Sequence, residues 1–144
     1  MAISTMTTKE VQQGDIFKYP YLWKHELNKP GDHQKERPVC LTLKLERQPG
    51  MTVLALLPIS DQPNTDQTLS IPVPPSELKL SGLSQFREAY VHLSEVNFDR
   101  RENSYSFNPN AKVLGRFSKD FLQRVAKQLI INIKEKRVEI IHRK

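Results

Sequence analysis

Short apolar runs separated by polar, proline-marked joints dominate the chain, and the period within each run assigns its element. Asp15-Ile16-Phe17-Lys18-Tyr19, continued through Tyr21 to Trp23, reads as a strand over 15–23. Val39-Cys40-Leu41-Thr42-Leu43 centres a second strand over 38–46, and Val53-Leu54-Ala55-Leu56-Leu57-Pro58-Ile59-Ser60 a third over 52–60, with Gln48-Pro49-Gly50 as the turn between them. Strands two and three are nearly continuous apolar runs, as expected where both faces of a strongly curved small sheet are covered, one face being open to use as a subunit interface. After a loop over 61–67, residues 68–73 form a short strand, and Pro74-Pro75-Ser76 starts a turn of helix with Ser76 as candidate cap and Gly82 at its close. The stretch 88–96 alternates, with Ala89, Val91 and Leu93 on one side and Tyr90 and His92 on the other, and predicts another strand. Residues 97–110 predict a polar turn holding a short strand around Tyr105 and Phe107. One long helix, 118–136, follows: Ser118 caps it, and Phe121, Leu122, Val125, Leu129 and Ile133 recur at spacings of three and four, a stripe that packs on the sheet.

Length and composition add bounds. At 144 residues with 38% hydrophobic and 26% charged positions, the chain suits one domain with its own core. The expected layout is a disordered tail over 1–11, a folded unit over 12–137 and a basic tail over 138–144. No apolar run approaches the roughly 20 residues that cross a bilayer, and Met1 to Glu10 lacks a basic start and an apolar segment, so no membrane and no secretory signal is expected and the cytoplasm is the expected compartment. Cys40 is the only cysteine and sits within a strand, which excludes an intramolecular disulfide and points to packing. The net charge of +6 is local: residues 116–144 hold nine Lys or Arg against three Asp or Glu, while residues 1–115 balance at thirteen each. Global basicity therefore says little about nucleic acid; the grouping of Lys24, Lys29, Lys35 and Arg37 with His25 and His33 says more, reading either as a phosphate-contacting loop or as a solvated one.

The candidate chemistry gathers at strand ends. Arg37, before Pro38 at the mouth of strand two, offers a planar guanidinium that donates bidentately to phosphate and keeps its charge near neutral pH; the alternative is that it braces the strand entrance. Ser60, ending strand three, can hydrogen-bond a phosphate oxygen or satisfy its own turn. Tyr19, Tyr21 and Trp23 can stack on unpaired bases or pack inside. Metal-free cleavage of RNA uses the 2′-OH as internal nucleophile and needs a base, an acid and cationic donors for the phosphorane. Glu26, His33 and Glu36 are the loop candidates for proton transfer; His33 suits the role because an unperturbed imidazole titrates near pH ~6.5 and can serve as base or acid, while Glu36 points away from Arg37 on an extended backbone. The histidines and the cysteine show no metal-ligand spacing and the five glycines form no phosphate cradle, so no metal and no cofactor is expected.

Five or six short strands with one terminal helix suit an SH3-like small β-barrel. Gly14-Asp15-Ile16, Tyr19-Pro20-Tyr21-Leu22-Trp23, Arg37-Pro38, Leu57-Pro58-Ile59-Ser60, residues 93–97 and Leu114-Gly115-Arg116-Phe117-Ser118, in that order and spacing, resemble the MazF/PemK family of type II toxin–antitoxin toxins, in its plasmid-maintenance growth-inhibitor branch. The resemblance spans residues 13–133. It implies a homodimer, metal-independent and sequence-specific cleavage of single-stranded RNA, and inhibition by a small antitoxin protein. It also makes Arg37 catalytic and puts Ser60 where the family has Thr or Ser. The Gly-Ser-Glu-Gln-type loop that supplies an acid in better-known members is absent, so the resemblance assigns no proton-transfer residue. The site expected on these grounds has Arg37, Ser60, His33 and Glu26 at the chemistry and Lys24, Lys29, Lys35, Tyr21 and Trp23 on the RNA. Two alternatives share the fold: a growth inhibitor in the style of CcdB that binds a protein target such as gyrase, and a degenerate module that only binds RNA or an antitoxin.

Overall fold

A computed structural model describes residues 10–27 and 35–143. Among these residues the architecture is mainly β: eight strands and a long C-terminal helix. Strand β1 is Asp15–Tyr19, β2 Arg37–Gln48, β3 Met51–Ser60, β4 Ser70–Pro72, β5 Tyr90–His92, β6 Glu95–Arg100, β7 Val113–Arg116 and β8 Glu139–His142; helix α1 is Pro75–Leu80 and α2 Lys119–Lys134. The sheet runs β4-β5-β3-β2-β1-β7, with β6 on β3 and β8 on β6, and among the described residues no pairing joins its ends. Every pairing is antiparallel except β6–β8.

The near-continuous apolar runs of β2 and β3 have a geometric cause. Each strand feeds two apolar layers: Cys40, Ala55, Leu57 and Ile59 face α1 and α2 together with Ile16, Val91, Phe121, Val125 and Leu129, whereas Val39, Leu41, Leu54 and Leu56 face Phe17, Tyr19, Tyr21 and Phe107. A bulge at Thr42 then reverses the parity of β2, because Leu41 lies opposite Leu56 but Leu43 lies opposite Ala55. Alternation is thus lost in β2 although each residue obeys it locally. β3 is shared lengthwise along one edge, its Val53–Leu56 stretch pairing with β6 and Ile59–Ser60 with β5.

Several expectations are corrected. Val11 is buried in the second apolar layer and Glu10 pairs with Lys44 and Arg101, so the folded unit begins before residue 12; residues 1–9 lie outside the described residues. The basic tail over 138–144 instead contributes β8, whose Ile141 is buried. The 88–96 strand is two strands, β5 and β6, broken at Leu93-Ser94, and β6 runs to Arg100. No strand forms around Tyr105, which is exposed, although Phe107 is buried. Helix α1 begins at Pro75 with Pro74, not Ser76, in the cap position, the ring's fixed φ suiting the first turn. For α2 the expected cap holds: Ser118 Oγ accepts from Phe121 N at 3.2 Å. No helix among the described residues is long and apolar enough to cross a membrane.

Candidate functional site

The segment from Pro20 to Leu27 leaves β1 and lies across the β6–β8 end of the sheet, held there by polar bonds rather than by apolar contact alone. The Asn97 side chain brackets Leu22, accepting from its N at 2.9 Å and donating to its carbonyl at 2.9 Å. Glu95 accepts from Lys24 N at 3.0 Å and from the Tyr21 hydroxyl at 3.2 Å. Arg143 donates to the Pro20 carbonyl at 2.8 Å, and Lys24 Nζ donates to Glu139 at 2.8 Å. Glu26 folds back to accept from Trp23 N at 3.3 Å, closing a single 3-10 turn over Lys24–Glu26. The effect of these bonds is to hold Trp23, half-buried, on top of the sheet end.

Four groups meet around that indole. The Arg37 guanidinium lies 5.7 Å from its ring centroid, a cation–π contact. His25 stacks on it with centroids 6.0 Å apart and 28° between planes. His92 meets it edge-on at 5.7 Å, and Tyr21 does so at 5.1 Å. His92 continues the chain of contacts: its Nε2 lies 2.7 Å from Ser60 Oγ and 3.0 Å from the Gln62 carbonyl, to which Ser60 Oγ also donates at 2.8 Å. The Gln62 carbonyl can only accept, so these distances fit an Nε2–H imidazole tautomer.

Strand register explains why Arg37 and Ser60 converge. Val39 lies opposite Pro58, and following both strands two residues onward brings Arg37 level with Ser60. Both belong by parity to the face of Val39 and Leu56, and Ser60 pairs with Tyr90 so that His92 falls on that face too. Arg37 and Ser60 are each partly exposed, while His92 is buried.

The electrostatics follow burial. His92 has its pKa lowered because the enclosed imidazole resists charging, an effect partly opposed by the Gln62 carbonyl. Glu95 is pushed above the ordinary glutamate value by desolvation, despite the bonds from Lys24 N and Tyr21 that favour its charged form. Tyr21 is driven well above the usual phenol range, by burial first and the Glu95 carboxylate second. Cys40 is fully enclosed and its thiol is pushed up to about 12, in keeping with packing and not reactivity.

Of the expected site residues, the fold brings Arg37, Ser60 and Trp23 together, with Glu26 bound to the same turn. Lys24 and Lys35 are exposed, Lys24 in an ion pair with Glu139. Tyr21 does not offer a stacking surface: it is 0% exposed and its hydroxyl is committed to Glu95, so it anchors the segment instead. Lys29 and His33 lie outside the described residues. The sequence reading did not single out His92, Glu95 or Asn97. A signal for the last two was present, since Glu95, Asn97 and Asp99 alternate with Val96 and Phe98, leaving a polar row on one side of a strand. His92 had none, because its tie to Ser60 depends on β3–β5 pairing. No group of three or more His, Cys, Asp or Glu among the described residues is arranged to hold a metal ion. Compared with models of known protein families and with curated proteins, the chain matches none.

Proposed function

We propose that this protein is a metal-independent endoribonuclease that cuts single-stranded RNA by 2′-OH attack, a toxin of the MazF/PemK kind acting as a homodimer and restrained by an antitoxin. Its curled sheet and terminal helix are read as that family's SH3-like barrel. The observation that carries the reading is the meeting of Arg37 and Ser60 at adjoining strand ends on one face, linked through Trp23 and His92. Arg37 stabilises the phosphorane, and Trp23 supplies a partly exposed ring on which a base flanking the cut can stack. Ser60 Oγ contacts the phosphate by exchanging its bond to the Gln62 carbonyl. His25, exposed and stacked on the same indole, takes the proton-transfer role; Glu26 is occupied in holding Trp23.

The test is cleavage of an unstructured RNA by purified protein in the presence of a chelator, with the new ends mapped. Fragments ending in 2′,3′-cyclic phosphate and beginning with 5′-OH are expected, and Arg37→Ala is expected to lower the rate by about 100-fold or more. Intact RNA with the wild-type protein overturns the reading. One observation favours the CcdB-like alternative: Ser60 Oγ and His92 Nε2 satisfy each other and Gln62, leaving Arg37 and Trp23 as the outward-facing pair, which also suits a protein target. Growth inhibition that persists without any RNA scission selects it.

A further inference from the structure

On the sheet face opposite Arg37 and Ser60, the far ends of β2, β3, β6 and β8 frame a cleft of about 310 Å³. Its floor follows from register. Leu45 lies opposite Val53 and Val53 opposite Arg100, while Phe98 lies opposite both Ala55 and His142. Helix α2 packs on the neighbouring part of this face, yet Leu45 remains 43% exposed and the His142 ring, edge-on to Phe98 at 5.7 Å, faces outward. Arg47, Arg100 and Arg143 rim the cleft.

The charge around it is one-sided. Asp99 is the one carboxylate in the lining, and it is buried with its oxygens accepting from the Tyr19 hydroxyl at 2.6 Å, Arg100 N at 2.7 Å and Ser104 Oγ at 2.7 Å. Among the described residues no carboxylate pairs with Arg47 or Arg100. Arg143 is fixed by Pro20, Asn97 and Ser106 and adds standing positive potential. An apolar floor, an exposed imidazole and two guanidinium groups ask for an apolar ring attached to an anion.

We propose that this cleft is a second nucleotide subsite for single-stranded RNA, holding a base on Leu45, Val53 and His142 with its phosphate between Arg47 and Arg100. The inference rests on RNA being the ligand and extends contact to the reverse face of the sheet. The test titrates a labelled, unstructured 12-nucleotide RNA at several salt concentrations against wild-type protein and an Arg47→Ala/Arg100→Ala variant, and follows the His142 ring by NMR as uridine monophosphate is added. Expected are binding about tenfold weaker in the variant, a log–log salt slope reduced by about 0.7 for the one phosphate no longer neutralised, and a shifted His142 signal in the wild type. An unchanged affinity and slope, or a His142 signal that does not move, overturns the subsite even where the wild type cleaves RNA. Weakened binding by the variant alongside an uncut RNA upholds the subsite and removes the nuclease reading. Failure of the wild type to bind RNA removes both.

Discussion

Tyr19 and Tyr21 stand two residues apart on one side of the chain, and their hydroxyls meet Asp99 and Glu95, four apart on β6 in the opposite direction. The antiparallel sense of β1 relative to β6 makes that double match possible. Tyr19 donates at 2.6 Å to a buried carboxylate, so Tyr19→Phe is expected to lower stability by about 2 kcal/mol, read from denaturant unfolding. His92 yields a pH prediction. Its folded pKa is depressed, so the unfolded chain takes up a proton first as pH falls below about 6.5. The stability it contributes is therefore present above that value and lost as pH drops towards the folded pKa; His92→Asn is expected to flatten the fall in Tm over that window. Arg37 and Ser60 were legible as candidates because each sits beside a proline-marked strand end. The tie between Ser60 and His92 was not, since it exists only once β3 and β5 have paired; the polar row of Glu95 and Asn97 was visible in the sequence, but not its task of holding the Trp23 segment, more than seventy residues away.

At the level of strands and helices, the long apolar runs and the capped helix could be read directly, whereas β7 and β8 could not. Both are four residues long and largely exposed, so neither carries a strong periodic signal; β7 exists because Ile16 and Gly115 pair, and β8 because β6 offers an edge. Helix α2 is tied at its start by Ser118, whose Oγ also donates to the buried Glu77 carboxylate at 2.6 Å. Ser118→Ala removes both bonds and is expected to cost about 2 kcal/mol in unfolding measurements. Where α1 ends against β7, two glycines permit backbone to touch backbone: a Cβ on Gly115 would collide with the Leu80 carbonyl and with Ser81, and one on Gly82, at φ +74°, with the Leu114 carbonyl. Neither obstacle is a flexible side chain. Gly115→Ala is accordingly expected to destabilise by about 3 kcal/mol or to abolish folding, measured by thermal unfolding and soluble yield.

Across the assembled protein, both faces of the sheet are covered within one chain over most of their area, which accounts for the apolar runs without assigning either face to a subunit contact. The C-terminal strand matters beyond its size, because Glu139 and Arg143 secure the segment that holds Trp23, the only tryptophan. Deleting residues 139–144 is expected to shift Trp23 fluorescence to longer wavelength and lower Tm; unaltered emission would show that Asn97 and Glu95 suffice to hold the segment. The sequence of these residues reads as a tail because Arg143 and Lys144 follow an Ile-Ile pair too short to show a period, of which only Ile141 is buried. The separation between partners also sets an order in time. Glu139 follows Lys24 by 115 positions and Arg143 follows Pro20 by 123. A ribosome adding about 5–20 residues per second leaves the Trp23 segment waiting on the order of 6–25 s for its fasteners to be made. During translation the tryptophan surface is thus among the last parts of the nascent protein to set, completed only when β8 itself emerges.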